Sequence, residues 1–142
     1  MIPAVGLLLT VVAIVNTVQL NGQATAPSAD FTNAAFAEVR DIQGLVVLRG
    51  QFQVTDDDDD VERKATLAPT GVDADAVGEA EVEFSKAAPA LQEVEFSVRS
   101  VAAGAVLTFV IDGTDVATAT ADRRGRAEVD LDVRMPGTTG SR

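Results

Sequence analysis

The chain has 142 residues, a formal net charge of −11, no His and no Cys. Without Cys it has no disulfide framework and no thiolate for catalysis or for zinc. Without His it lacks the commonest general base and transition-metal ligand. The acidic balance argues against nucleic acid as a partner, because phosphate binding depends on Lys and Arg, and against stable membrane insertion of the mature domain. We therefore predict a protein that is not an enzyme.

The first part of the chain is apolar. Residues 2–15 form an unbroken run of apolar residues and Thr, too short for a spanning helix and typical of the core of a signal peptide. A small-residue cleavage site follows at Ala24-Thr25-Ala26, although no Lys or Arg precedes the run. The sequence favours a signal peptide over residues 1–26 and an extracellular or cell-surface location. The alternatives are a retained membrane anchor and a retained apolar segment that adds as a strand to a neighbouring subunit.

The rest of the chain is predicted to be all-β. Residues 16–33 are rich in Asn, Thr, Ser, Ala and Gly, which predicts a linker, and Ala34–Asp41 is predicted to form one helical turn or an edge strand. Residues 27–44 are therefore a predicted linker or edge segment, and residues 136–142 are a predicted flexible tail. Between them, residues 45–135 form the predicted domain. Its predicted strands are Leu45–Val54, Val61–Leu67, Ala80–Phe84, Val94–Val98, Val106–Ile111, Thr114–Ala121 and Arg126–Val133. This spacing, without a long amphipathic helix, is typical of an antiparallel β-sandwich of about seven strands.

Two hairpins are well marked. Asp112-Gly113 is a strong two-residue turn signal, because both residue types tolerate the positive φ that such turns require. A second turn at residues 122–125 precedes the last strand. Before it, Ala80, Val82 and Phe84 alternate with acidic residues, so one side of the sheet is predicted to be buried and the other acidic.

The acidic side contains eight carboxylates at alternating strand positions. They are Glu79, Glu81, Glu83, Glu93, Glu95, Glu128, Asp130 and Asp132. Like charges on neighbouring strands destabilise a sheet; a bound cation would relieve this repulsion, as would Arg99, Arg126 and Arg134 on adjacent strands. We interpret the set as a charged outer face that prevents edge-to-edge aggregation.

Calcium is the one candidate ligand, because clustered carboxylate oxygens suit hard cations. The first candidate ligands are the consecutive Asp56, Asp57, Asp58, Asp59 and Asp60, and the second are Asp73 and Asp75. The two sets would form one site if their loops lay at the same end of the fold. The run lacks the ligand spacing of an EF-hand loop, which favours a solvated acidic loop instead.

One basic cluster stands out in this acidic chain. Arg123, Arg124 and Arg126 flank Gly125 in the second turn. Such a turn is ordinarily solvated, but it is also suited to a carboxylate or phosphate of a partner, or to the acidic loop of another copy. The predicted partners are therefore a second copy of the chain or another envelope protein.

Two motifs within residues 66–133 resemble a known class of domain. They are VIDGTDVAT (110–118) and GRAEVDLD (125–132). The stretch resembles small β-rich, immunoglobulin-like or sandwich domains of exported bacterial proteins, and the resemblance implies no catalytic residues. We predict an exported, non-enzymatic structural or interaction module of the cell envelope that self-assembles through its N-terminal segment. The alternative is a calcium-dependent adhesive or binding domain.

Overall fold

The computed structural model describes residues 28–137, and this part of the chain is all-β. Its strands are β1 (Phe36–Arg40), β2 (Val46–Asp56), β3 (Asp60–Pro69), β4 (Val77–Ser85), β5 (Leu91–Arg99), β6 (Val106–Ile111), β7 (Thr114–Thr120) and β8 (Ala127–Arg134). No helix that would reach across a bilayer occurs among these residues. The predicted signal peptide at residues 1–26 and most of the predicted tail lie outside the described range.

All eight strands belong to one antiparallel sheet in the order β7-β6-β1-β2-β3-β4-β5-β8. The two outermost strands, β7 and β8, approach within 8 Å at Cα, so the sheet nearly closes on itself. The all-β prediction is confirmed, but the division into a sandwich of about seven strands is not. The eighth strand is β1, which lies inside the segment predicted to be a linker or an edge and is paired on both sides, with β2 and β6.

The sheet stays continuous because β3 pairs along its length with β2 on one side and β4 on the other. Gly50 makes this possible on β2. A Cβ at Gly50 would overlap the carbonyl oxygen of Thr66 on β3, so only glycine permits this approach. The register between the two strands is the same before and after Gly50. A glycine within a strand often marks a bulge, but Gly50 marks a close backbone contact instead.

The predicted hairpin at Asp112-Gly113 forms. The turn at residues 122–125 forms as well, but it closes no hairpin, because β8 pairs with β5 and not with β7. Asp112 and Gly113 have φ values of 49° and 82°, and they connect β6 to β7 as predicted. In the second turn the carboxylate of Asp122 accepts backbone N–H hydrogen bonds from Arg124 (2.8 Å) and Arg126 (3.0 Å). These bonds fix residues 122–126, which we call the arginine turn.

Alternate side chains of the strands fill the interior. Phe96 and Phe109 are fully buried there, with ring centroids 4.9 Å apart. Phe84 and Leu131 are half-buried and pack against the same core. Burying a side chain of this size contributes about 1.5–3 kcal/mol, so the inward-facing residues hold the sheet in its closed form.

Residues 28–35 cross one end of the closed sheet and pack into it. Phe31 and Ala34 are buried in the core. The backbone N–H of Phe31 donates to Oε1 of the buried Gln92 at 2.6 Å, and Gln92 Nε2 donates to the carbonyl of Ala29 at 3.3 Å. Arg63 Nε donates to the carbonyl of Thr32 at 2.7 Å. Side chains from β3 and β5 thus form hydrogen bonds with backbone N–H and C=O groups of this crossing segment. These groups need side-chain partners because the segment pairs with no strand along most of its length.

The strand directions define two ends. The aspartate end carries residues 28–35, the turn at 112–113 and the loop Asp56–Asp60, which we call the aspartate loop. The arginine end carries the β1–β2 turn, the β3–β4 loop and the arginine turn. β3 runs from one end to the other, and its ten residues separate the ends by about 30 Å.

We expect Gln92→Leu to lower the free energy of unfolding by about 1–3 kcal/mol, because the buried N–H of Phe31 loses its acceptor while side-chain volume is kept. Urea unfolding measures the change. Gln53→Leu on the exposed side of β2 is the matched control, with an expected change within about 0.5 kcal/mol. Equal effects of the two substitutions would show that Gln92 does not anchor the crossing segment.

Candidate functional site

The outer side of β3, β4, β5 and β8 carries nine carboxylates in three cross-strand rows, and we call it the acidic face. The row nearest the aspartate end aligns Glu62, Glu83, Glu93 and Asp132; the middle row aligns Lys64, Glu81, Glu95 and Asp130; the third aligns Thr66, Glu79, Ser97 and Glu128. Directly opposed side chains on neighbouring strands lie about 5 Å apart at Cβ. The first row therefore places four carboxylates side by side without a cation between them.

Little positive charge lies among these rows. Lys64 occupies the middle row, and its Nζ is 4.0 Å from a carboxylate oxygen of Glu62. The three arginines expected to relieve the repulsion lie beyond the rows: Arg99 and Arg126 at the arginine end, and Arg134 at the end of β8 opposite Leu91. The acidic face is therefore largely uncompensated.

The crowding of carboxylates raises the pKa of two of them, Glu81 and Glu93. A hydrogen bond with the Glu62 carboxyl, together with partial burial and the Glu62 charge, raises the pKa of Glu81 to about 7. Desolvation, with the charge and a hydrogen bond of Asp130, raises the pKa of Glu93. Like charges that cannot separate hold a proton more tightly. Near neutral pH the Glu81 carboxyl is thus partly protonated.

Three of the carboxylates converge. Glu93, Glu95 and Asp130 each offer an oxygen, and these oxygens all lie within 4.8 Å of one another. Two oxygens that share one Ca²⁺ at about 2.4 Å can be no more than about 4.8 Å apart. Glu95 and Asp130 also line a shallow depression of about 210 Å³ on the same face. The arrangement is compatible with one hard cation on the surface of β5 and β8.

The aspartate loop is organised by its own backbone. Oδ1 of Asp57 accepts N–H bonds from Asp59 (3.1 Å) and Asp60 (2.9 Å), which lower the pKa of Asp57. Asp56 pairs with Lys86 at 2.5 Å. Asp56 and Asp60 lie within β2 and β3, paired with Val61 and Ser85. The expectation that this charge run stops strand pairing is therefore wrong at both ends of the run.

The second predicted ligand pair lies far from the first. Asp73 and Asp75 follow β3 at the arginine end, whereas the aspartate loop precedes β3. The carboxylate of Asp73 accepts the N–H of Asp75 at 3.3 Å within its own turn. The two sets are thus not brought together, and in the described chain neither contains three converging carboxylates. Calcium at Asp56, Asp57, Asp58, Asp59, Asp60, Asp73 and Asp75 stays a prediction.

A buried ion pair lies on the outer side of β1 and β2. Glu38 is 3% exposed; Arg40 Nη2 donates to its Oε1 at 2.8 Å and Arg49 Nη2 to its Oε2 at 2.5 Å. Although burial alone would raise the pKa of Glu38, these hydrogen bonds hold it below its usual value. Two guanidinium groups on one carboxylate leave a local positive charge near the arginine end.

The sequence predicts the alternation of carboxylates along each strand, but not which carboxylates of different strands come together. The eight carboxylates predicted for the acidic side do not include Glu62. Only the pairing of β3 with β4 in the fold places Glu62 beside them, opposite Glu83. Glu93, Glu95 and Asp130 are far apart in sequence, and only the register of β5 on β8 brings them together. The available signal was the shared period of two on three predicted strands.

Comparison with protein-family models, curated proteins and solved structures finds no match to this chain. The function is therefore argued from the residues themselves.

The raised pKa of Glu81 gives a pH prediction. A carboxyl that binds its proton more tightly when folded stabilises the fold below its unfolded pKa of about 4.5, and this contribution is lost as pH rises through about 7. We expect Glu81→Gln to remove part of the fall in melting temperature between pH 5 and pH 8.

Glu79→Gln is the matched control for this measurement, since Glu79 lies on the same strand and side but opposite Thr66 and Ser97. Differential scanning calorimetry at both pH values makes the comparison. The explanation is contradicted if the two variants show the same pH dependence.

Proposed function

We propose that the chain is an exported, non-enzymatic structural or interaction module of the cell envelope. The acidic face is the observation that carries this proposal. It is an exposed, regular array of carboxylates on four neighbouring strands, and its concave parts are shallow depressions of about 210 and 260 Å³. Such a surface is suited to binding a cationic partner or ion across a broad area.

The chemistry of the chain favours binding over catalysis. Hydrolysis by a serine or cysteine nucleophile ordinarily uses a histidine base, and the sequence contains neither His nor Cys. A glycosidase positions two carboxyl groups across a substrate cleft, whereas these carboxylates stand side by side on the outside of a sheet. Their arrangement provides charge at high density without an enclosed reaction volume.

The N-terminal segment is the proposed route to self-assembly where it is retained. Ser28 forms a parallel bridge with Arg134, and the N–H of Ala29 donates to the carbonyl of Arg134 at 3.0 Å. The described chain thus begins beside β8, an outermost strand of the sheet. A strand placed along an outermost strand gains backbone hydrogen bonds, which is the basis of strand addition between subunits.

We expect the full chain to sediment as a larger species than a chain that starts at Thr25. Sedimentation velocity over a range of concentrations makes the comparison, and circular dichroism of both chains checks that the sheet is intact. Identical monomers would contradict self-assembly through residues 1–24. The mass of the protein recovered from outside the cell then shows whether that segment survives export.

A second candidate function is calcium-dependent binding, and the convergence of Glu93, Glu95 and Asp130 favours it. A cation held there would offset the repulsion between the carboxylates of β5 and β8. This site differs from the predicted aspartate loop, so substitutions distinguish the two.

We expect millimolar calcium to raise the melting temperature, because a ligand bound only by the folded state stabilises it, by about 2.7 kcal/mol at 100 times the Kd. Glu95→Gln with Asp130→Asn should abolish the shift. Asp58→Asn with Asp59→Asn is the matched control and should leave it unchanged, whereas the opposite pattern would place calcium in the aspartate loop. NaCl of equal ionic strength corrects for screening, and no shift beyond it would exclude calcium binding.

A further inference from the structure

The exposed large apolar side chains lie at the two ends of the sheet. At the arginine end, Ile42 is 79% exposed, and Leu45 and Val72 are about half exposed. At the aspartate end, Val54 and Leu91 are 50% and 44% exposed. Phe36, 37% exposed, begins β1 at the aspartate end, so in the described chain every exposed large apolar side chain lies toward one of the two ends.

The same two ends differ in charge. The aspartate end carries the aspartate loop and the first row of the acidic face. The arginine end carries six of the ten basic residues in the described chain: Arg40, Arg49, Arg99, Arg123, Arg124 and Arg126. Three carboxylates at that end, those of Asp41, Asp73 and Asp122, accept backbone N–H groups of their own turns.

The arginines of the arginine turn make no close ion pair within residues 28–137, although backbone hydrogen bonds from Arg126 and Arg124, and then the charges of these two arginines, lower the pKa of Asp122. Neither Arg123, Arg124 nor Arg126 makes an ion pair within 4.0 Å among the described residues. Gly125 holds the turn in place, because its φ is +74° and a Cβ there would overlap the carbonyl oxygen of Val101. The turn therefore presents three exposed arginine side chains on a fixed backbone.

A complementary surface lies at the opposite end. A depression of about 260 Å³ has Phe84 and Leu91 in its lining, with acidic groups from Asp60, Glu83, Glu93 and Asp132. An apolar patch beside carboxylates fits an arginine, whose alkyl stem packs on apolar surface while its planar fork binds a carboxylate with two hydrogen bonds.

The two surfaces cannot meet within one molecule. β8 begins beside the arginine turn and ends beside the depression, and its eight residues span about 27 Å. A second copy displaced along β8 would place its arginine turn on the depression of the first.

We propose that copies of this chain associate head to tail, with the arginine turn of one copy bound in the acidic depression of the next. The inference rests on the proposed function, since it names the partner of the interaction module, but it does not involve residues 1–24. Different surfaces of the two copies meet, so the contact does not close a dimer and generates an open line of subunits. The apolar side chains at each end add burial to the charge attraction.

Sedimentation of the full chain tests this contact. We expect the average mass to rise with protein concentration at low salt, and the dissociation constant to rise about tenfold or more between 50 and 500 mM NaCl because the charge pairs are screened. A triple variant, Arg123→Gln, Arg124→Gln and Arg126→Gln, should be monomeric. A second variant, Glu83→Lys and Asp132→Lys, should be monomeric as well, because both residues line the depression. Arg134→Gln is the control, and it should associate like the unsubstituted chain.

Mixing the two monomeric variants is the decisive measurement. Each keeps one competent end, so an equimolar mixture should form a pair of twice the monomer mass and no longer species. Pair formation also shows that both variants are folded. The proposal is overturned if the mixture stays monomeric, or if the unsubstituted chain does. It is equally overturned if starting the chain at Thr25 abolishes association while the charge variants still associate, because the N-terminal segment would then be the contact.

Discussion

The register of β4 on β5 and of β5 on β8 is the constraint on which the other features depend. Side chains alternate between the two sides of a strand, so the pairing that buries Ala80 against Phe96 also places Glu81 opposite Glu95 outside. A slip by one residue would move every carboxylate into the core and every apolar side chain into water. The core and the acidic face are therefore two consequences of one pairing.

The fold tolerates the repulsion on its acidic face because burial of the core stabilises the protein by more than this repulsion destabilises it. A directly opposed pair of like charges on neighbouring strands costs a few tenths of a kcal/mol, whereas each large side chain buried on the inner side contributes about 1.5–3 kcal/mol. The remaining cost is relieved locally by a proton, as the raised pKa of Glu81 shows.

Closure of the sheet leaves the exposed large apolar side chains at its two ends. The walls are covered by regular strands with polar outer residues, and β7 and β8 leave only a narrow gap between them. The exposed apolar side chains therefore lie in the loops and the strand ends, as in Ile42, Val72 and Leu91. The arginine turn and the acidic depression lie at opposite ends of the same strand, β8, which gives the molecule a direction.

Local sequence determined the hairpins of this protein and the side on which each residue lies. Asp112-Gly113 predicts its turn because positive φ is an intrinsic property of those residue types, and the period of two in Glu79–Phe84 predicts one buried and one acidic side. The length of the strands was less accessible, because pairing extends β2 and β3 into the aspartate run.

Only the tertiary structure decided which strands are neighbours. The sequence predicts a helical turn or an edge strand at β1, yet this strand is paired on both sides, and its partner β6 lies about 70 residues further along the chain. The burial of Phe31 over Gln92, the convergence of Glu93 with Asp130 and the separation of the aspartate loop from Asp73 all follow from that order of strands. Turn and face preferences are set by a few consecutive residues, whereas strand order depends on which distant apolar surfaces bury each other, and no local pattern contains that information.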